Sequence, residues 1–228
     1  MKPDYVYDID DCQYDDTFQI GIVININSTH TCLHCGIAYN LTKEKDVLHQ
    51  YTKLSHDKGI DKFMCIIKPS FNITQQKAMT PFLTYMAKKV DEDNLKIPYG
   101  FRYDNYSKYD EKEGFILNGD TSGLTCATFI LTIFHTFGID LIDLEHWPIR
   151  DDDKKWEKHT KQICNIYKER NDMSREQILQ MESEIGSKRY RPEEVAVSSA
   201  LYDGNAADSN TIIRDGKELY NYLLTKSS

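Results

Sequence analysis

Between residues 18 and 27 apolar side chains alternate with others: Ile20, Ile22, Ile24 and Ile26 recur at every second position, the spacing that lines one face of a strand. Short β-compatible runs at 31–41, 46–51 and 63–68, separated by polar or Gly-containing turns, predict further strands and a small antiparallel sheet. The period then lengthens. Thr74 is placed to cap a helix reaching about residue 89, with Ala78, Phe82, Tyr85, Met86 and Val90 as its apolar stripe and Pro81 as a candidate break. A polar, tyrosine-rich loop is expected over 91–123. From Leu124 onward, Ala127, Ile130, Leu131, Ile133, Phe134 and Phe137 cover most of a helix circumference, which predicts a buried central helix closed by Gly138. Beyond Trp147-Pro148 the chain turns charged and helical, with a capping box at Ser174 and Gln177 and with Pro192 at a first helical position. The pattern divides into a core over 1–150 and a helical C-terminal extension over 151–228 packed on it.

Composition narrows the function classes. The 228 residues suit one large domain with an appendage. Lys and Arg number 28 against 36 Asp and Glu, so the net charge of −8 argues against binding a nucleic-acid backbone. The longest apolar stretch, 129–137, is interrupted by Thr132, His135 and Thr136, which excludes stable membrane insertion by a spanning helix. Met1-Lys-Pro-Asp lacks the features of a secretory signal, so a cytoplasmic location is expected, or export by a specialised secretion system without a cleavable signal. Six cysteines at 12, 32, 35, 65, 126 and 164 follow no disulfide framework and read as free thiols.

One of them is placed for chemistry. In Gly119-Asp-Thr-Ser-Gly-Leu-Thr-Cys-Ala-Thr, Cys126 falls in the first turn of the apolar helix. There unpaired backbone N–H groups and the helix dipole favour a thiolate and could also hold an oxyanion; the alternative is a small buried hydrophobe. A thiolate nucleophile needs a base and a group that orients it. His34 and His49 lie on consecutive strand segments joined by the polar turn 42–46, so pairing of those strands brings the imidazoles within a residue or two of each other. His30, Cys32, His34 and Cys35 crowd one segment, but no second ligand pair accompanies them and strand alternation splits them between faces, so neither a metal nor a cofactor is expected. His56, in a polar loop, and His135 and His146 read as local structural residues, and Asp151 to Asp153, Asp8 to Asp11 and Asp15-Asp16 as solvated surface.

The succession of His34-Cys-Gly-Ile37 on one strand, a polar residue on the next, and a cysteine opening a buried helix resembles the circularly permuted branch of the NlpC/P60 papain-like thiol hydrolases. The lecithin:retinol acyltransferase-like proteins share that order, with a histidine as the second polar residue. The resemblance covers about residues 18–137 and implies an α+β, permuted papain-like fold: a small antiparallel sheet packed on a central buried helix, here with a helical C-terminal appendage. It implies Cys126 as nucleophile, His34 as general base and His49 as orienting residue. Ile97-Pro-Tyr-Gly100 resembles the Pro-Tyr segment before the catalytic cysteine in that superfamily, which implies that Tyr99 lines the site and contacts the reacting carbonyl. Thr125 and Ala127 stand where many NlpC/P60 enzymes have Asp and Ser, and the loop between Tyr99 and Cys126 is longer.

The expectation is a cysteine hydrolase, of amidase, peptidase or esterase type, working through an acyl-thioester on a peptide, amide or lipid-ester substrate, with Tyr99, Tyr103, Tyr106 and Tyr109 on a substrate-facing loop. Two alternatives stay open: a thiol acyltransferase on the same fold, and a non-catalytic interaction module that meets a protein partner through its C-terminal helices.

Overall fold

The period-two segments become strands and the longer-period segments become helices. A computed structural model describes residues 2–10, 18–26, 33–51, 53–104, 106–110, 112, 114–117, 123–170 and 173–226. Its strands are β1 (Val6–Asp8), β2 (Ile20–Ile26), β3 (Leu33–Tyr39), β4 (Asp46–Gln50), β5 (Leu54–Lys58), β6 (Cys65–Ile67) and a separate hairpin of β7 (Lys108–Asp110) and β8 (Gly114–Ile116). Its helices are α1 (Ile73–Asp93), α2 (Cys126–Thr136), α3 (Asp153–Arg170), α4 (Arg175–Ser183), α5 (Pro192–Leu201) and α6 (Ser209–Lys226). The main sheet runs β1-β6-β2-β3-β4-β5 with every neighbouring pair antiparallel. The fold is therefore α+β. Among the described residues, no helix is long and apolar enough to cross a membrane.

Alternation sorts the sheet's side chains between two cores. Ile20, Ile22, Ile24, Cys35, Ile37, Tyr39 and Leu48 join the main core with α2, whereas Val23, Ala38, Val47 and Ile66 meet Phe18, Leu41, Ile60 and Phe63 on the opposite face. Helix α2 lies at the centre as its pattern requires, with Ala127 through Phe134 buried, and it ends with Gly138 at φ +70, where lack of a Cβ removes the steric cost.

Several elements depart from the expectation for identifiable reasons. Helix α1 begins at Asn72, not Thr74: the Asn72 side chain accepts from Gln75 N–H while Gln75 reaches back to Asn72. Pro81 does not break it, because Pro81 and Lys77 are both exposed and the carbonyl that loses its partner is left to water. The buried stripe is Met79, Leu83, Met86 and Ala87, with Ala78 and Tyr85 outside. Buried Gln76 accepts from the N–H groups of Gln19 and Ile20 (3.0 and 3.2 Å), tying α1 to the start of β2. The segment holding His56 is strand β5 rather than a loop; as an edge strand paired with β4 it carries polar residues and shows no apolar alternation.

The C-terminal third shares the main core. Val195, Ala196 and Val197 of α5 and Ile212, Leu219 and Leu223 of α6 pack into it, while α3 and α4 enclose Cys164, Tyr167, Ile178 and Met181 around Phe101. The Ser174–Gln177 capping box and Pro192 at the start of α5 stand where the pattern puts them. The acidic stretches are not simply solvated. Asp8 accepts from Tyr222 at 2.6 Å, Asp152 and Asp153 pair with Arg191 at 2.7 and 3.3 Å, and Asp153 is buried. Asp11, Asp15 and Asp16 lie outside the described residues.

Candidate active site

Cys126 is the first residue of α2, and Thr125 caps the helix through a reciprocal arrangement with Thr128. That cap engages the Thr128 N–H, so the first-turn N–H groups of Cys126 and Ala127 are the ones without intrahelical partners. The thiol is half-buried. Cys35 is the largest influence on it and, with His34, outweighs burial, bringing the Cys126 thiol well below the usual range. Cys35 moves the other way, pushed well above its usual range by burial and by Cys126.

From His34 a polar series crosses three strands. His34 Nε2 stands 2.9 Å from His49 Nδ1, and His49 Nε2 stands 3.3 Å from Asp57 Oδ2, which also accepts from Lys62 Nζ at 3.1 Å. The β3–β4 register pairs Ile37 with Leu48, which places His49 across from Gly36 and one diagonal step from His34. In the β4–β5 register His49 faces Ser55 and Val47 faces Asp57, so His49 and Asp57 are again diagonal. All share the sheet face that carries Phe63, whose ring lies 6.5 Å from that of His34 and 6.1 Å from that of His49. Gly36 is required for this geometry: a Cβ there would lie 2.9 Å from both His49 Cβ and Val47 Cγ1.

The network fixes proton positions. Burial pushes the Asp57 carboxyl up, but Lys62 and His49 outweigh it and hold it below the usual range, so it is an acceptor. His49 is shifted down, by burial first and by His34 second, and stays neutral near pH 7. With its Nε2–H directed to Asp57, its Nδ1 must accept, so His34 donates from Nε2 and offers Nδ1 as its basic nitrogen.

The site opens on a cavity of about 890 Å³. Leu33, His34, Gln50, Tyr51 and Cys126 line it together with Tyr99 and with residues of α3, the 184–194 segment and α6. Tyr99 is held there by its neighbours. Gln50 Nε2 donates to the Ile97 carbonyl at 3.0 Å, Leu124 N–H donates to the Pro98 carbonyl at 2.9 Å, and a Cβ on Gly123 would meet that carbonyl oxygen at 2.0 Å. The other loop tyrosines do not face the cavity: Tyr103 is buried beside Tyr190, Tyr109 is buried between Phe82 and Phe115, and Tyr106 is exposed.

Cys126, His34, His49 and Tyr99 are thus brought together, whereas His56 pairs with Asp46 and Asp91, His135 with Asp140 and His146 with Asp143. Of the segment weighed for zinc, His30 and Cys32 lie outside the described residues; among the described ones no group of three or more His, Cys, Asp or Glu could hold a metal ion. The sequence pattern points neither to Cys35 as a neighbour of Cys126, nor to Asp57, nor to the cavity wall supplied by the C-terminal helices. Asp57 stands two positions from Ser55, the residue opposite His49, a signal that becomes readable once β5 is recognised as a strand.

Comparisons of this chain with models of protein families, with curated proteins and with solved structures find no match.

Proposed function

We propose that this protein is a cysteine hydrolase of permuted papain-like type, cleaving an amide or ester through an acyl-thioester on Cys126. The observation that carries the reading is the polar series from His34 through His49 to Asp57, whose His34 lowers the Cys126 thiol and lines one cavity with it. Such a series does what thiol catalysis needs. Nδ1 of His34 takes the thiol proton as sulfur attacks the carbonyl carbon, and the resulting imidazolium is stabilised through His49 and the Asp57 carboxylate. The first-turn N–H groups of Cys126 and Ala127 are donors for the developing oxyanion. His34 then returns its proton to the leaving amine or alcohol, and in the second half activates the water that releases the acid from sulfur. Tyr99 borders the space in which the acyl group sits.

Site-resolved iodoacetamide labelling across pH tests this. Cys126 should label fastest among the cysteines, with a midpoint below about 8.5, the ordinary thiol value, and lose that advantage in His34→Ala. Labelling of Cys126 no faster than that of an ordinary thiol sinks the hydrolase reading and favours a binding role. Once a turnover substrate is found, adding an amine or alcohol acceptor separates hydrolysis from acyl transfer.

A further inference from the structure

Arg189 differs from the other arginines of the cavity. Arg150 pairs with Glu194 and Asp153, and Arg191 pairs with Asp152, Asp153 and Glu194. Among the described residues no carboxylate lies within ion-pair distance of the Arg189 guanidinium. It lies instead over the Trp156 indole, 3.8 Å from the ring centroid, and both residues line the cavity that holds Cys126. Its backbone is anchored: the Arg189 carbonyl accepts from Trp147 Nε1 at 3.0 Å and from Arg150 Nη2 at 3.1 Å. Stacking occupies a flat face of the guanidinium and leaves the in-plane N–H fork open, the geometry that grips a planar oxyanion with two parallel hydrogen bonds.

The surroundings set the charge that the fork can take. Glu194 is engaged by Arg150 and Arg191, and neighbouring Glu193 has its carboxyl pushed up to about 7 by burial and by Glu194, which weakens it as a competing anion. His159, beside Trp156, is shifted down by burial and by Arg189 and adds no positive charge near pH 7. Among the described residues Arg189 is the one arginine of the cavity without a carboxylate partner, and a single guanidinium amid acidic neighbours matches one negative charge better than two. A neutral amide or ester would leave a half-buried guanidinium unanswered, whereas a carboxylate satisfies it.

We infer that Arg189, stacked on Trp156, is the subsite for a carboxylate on the substrate, so that the cavity takes an amide or ester bearing a carboxylate that reaches Arg189. This assignment of substrate class rests on the hydrolase reading above, while the anion subsite itself does not.

Phenylacetate and its neutral counterpart phenylacetamide, titrated into the full-length protein, are the probes, followed by tryptophan fluorescence and by protection of Cys126 from iodoacetamide. Phenylacetate should bind about tenfold more tightly than the amide, Arg189→Gln should erase that preference without lowering the melting temperature, and Trp156→Phe should reduce it. Equal binding of acid and amide, or a preference that survives in Arg189→Gln, overturns the assignment. Inorganic phosphate competing more strongly than phenylacetate also overturns it, in favour of a phosphoryl ligand. A carboxylate preference on a chain whose Cys126 labels sluggishly would remove the hydrolase and the substrate class and keep the subsite; rapid Cys126 labelling without a preference would do the reverse.

Discussion

His34 Nε2 meets His49 Nδ1 at 2.9 Å although the two residues are diagonal rather than opposite across β3 and β4. The same diagonal step carries His49 to Asp57 on β5, so the polar series climbs the sheet obliquely and ends on an exposed lysine, Lys62. The chain's middle member is the one that fixes the tautomer of the base. Replacing His49 by Ala should slow alkylation of Cys126 at neutral pH by about 10²-fold, the scale of a lost acid–base contribution, with the circular dichroism spectrum unchanged. Asp57→Asn should have a smaller effect in the same direction. Equal rates for wild type and His49→Ala would detach His49 from the site.

Gly36 makes that contact sterically possible. A methyl group there would stand 2.9 Å from both His49 Cβ and Val47 Cγ1, closer than Cβ atoms in folded proteins come to their neighbours. Gly36→Ala should therefore push β4 or the His49 ring outward, costing about 1–3 kcal/mol of stability as overpacking does and slowing Cys126 as His49→Ala does. Denaturant midpoints and labelling rates, measured on one preparation, check both parts; retention of full Cys126 reactivity would show that the imidazole contact survives the methyl group.

Local pattern reached the parts of this fold that a period can encode. The isoleucines of β2 and the apolar circumference of α2 announced themselves, and the spacing of His34 and His49 was enough to bring them together. Strand β5 escaped because Leu54-Ser-His-Asp-Lys58 has no alternation, an edge position making no demand for it, and with β5 went Asp57. Cys35 escaped for a different reason. It occupies a strand position whose neighbours predict burial, and its approach to Cys126 depends on where α2 lands on the sheet, a tertiary fact with no local signal. The cavity wall is likewise tertiary: Arg189 and Trp156 are 33 residues apart and come together only when α3 folds back beneath the segment leading to α5.

The N- and C-terminal segments are joined by an acid-sensitive tie. Asp8 on β1 accepts from Tyr222 and pairs with Lys226, both on α6, and with Lys2. Although burial pushes its carboxyl up, these three partners lower it from 3.8 to about 2. A carboxylate depressed on folding contributes stability above its unfolded value and loses that contribution as pH falls through the folded one. Screened by solvent, the contribution is on the order of 1 kcal/mol. Melting temperature should decline between about pH 4 and pH 2, and Asp8→Asn should lower it at pH 7 and flatten that part of the profile. A profile that keeps its full slope in Asp8→Asn would assign the acid sensitivity to other carboxylates.

Cys35 offers the sharpest separation between the influences on the Cys126 thiol. Its side chain is the leading influence and His34 comes after it, both opposing burial. Cys35→Ala removes the thiol while leaving the Cys35 backbone and His34, which also lower Cys126, in place. The labelling midpoint of Cys126 should therefore rise in Cys35→Ala, yet stay below that of His34→Ala combined with Cys35→Ala. Cys35→Ser restores a hydroxyl donor and should bring the midpoint back toward wild type. Cys35 itself should resist iodoacetamide in the native protein, because burial and Cys126 push its own thiol well above the usual range. If Cys35→Ala leaves the midpoint in place, then His34 and the start of α2 lower the Cys126 thiol by themselves, and Cys35 is a packing residue.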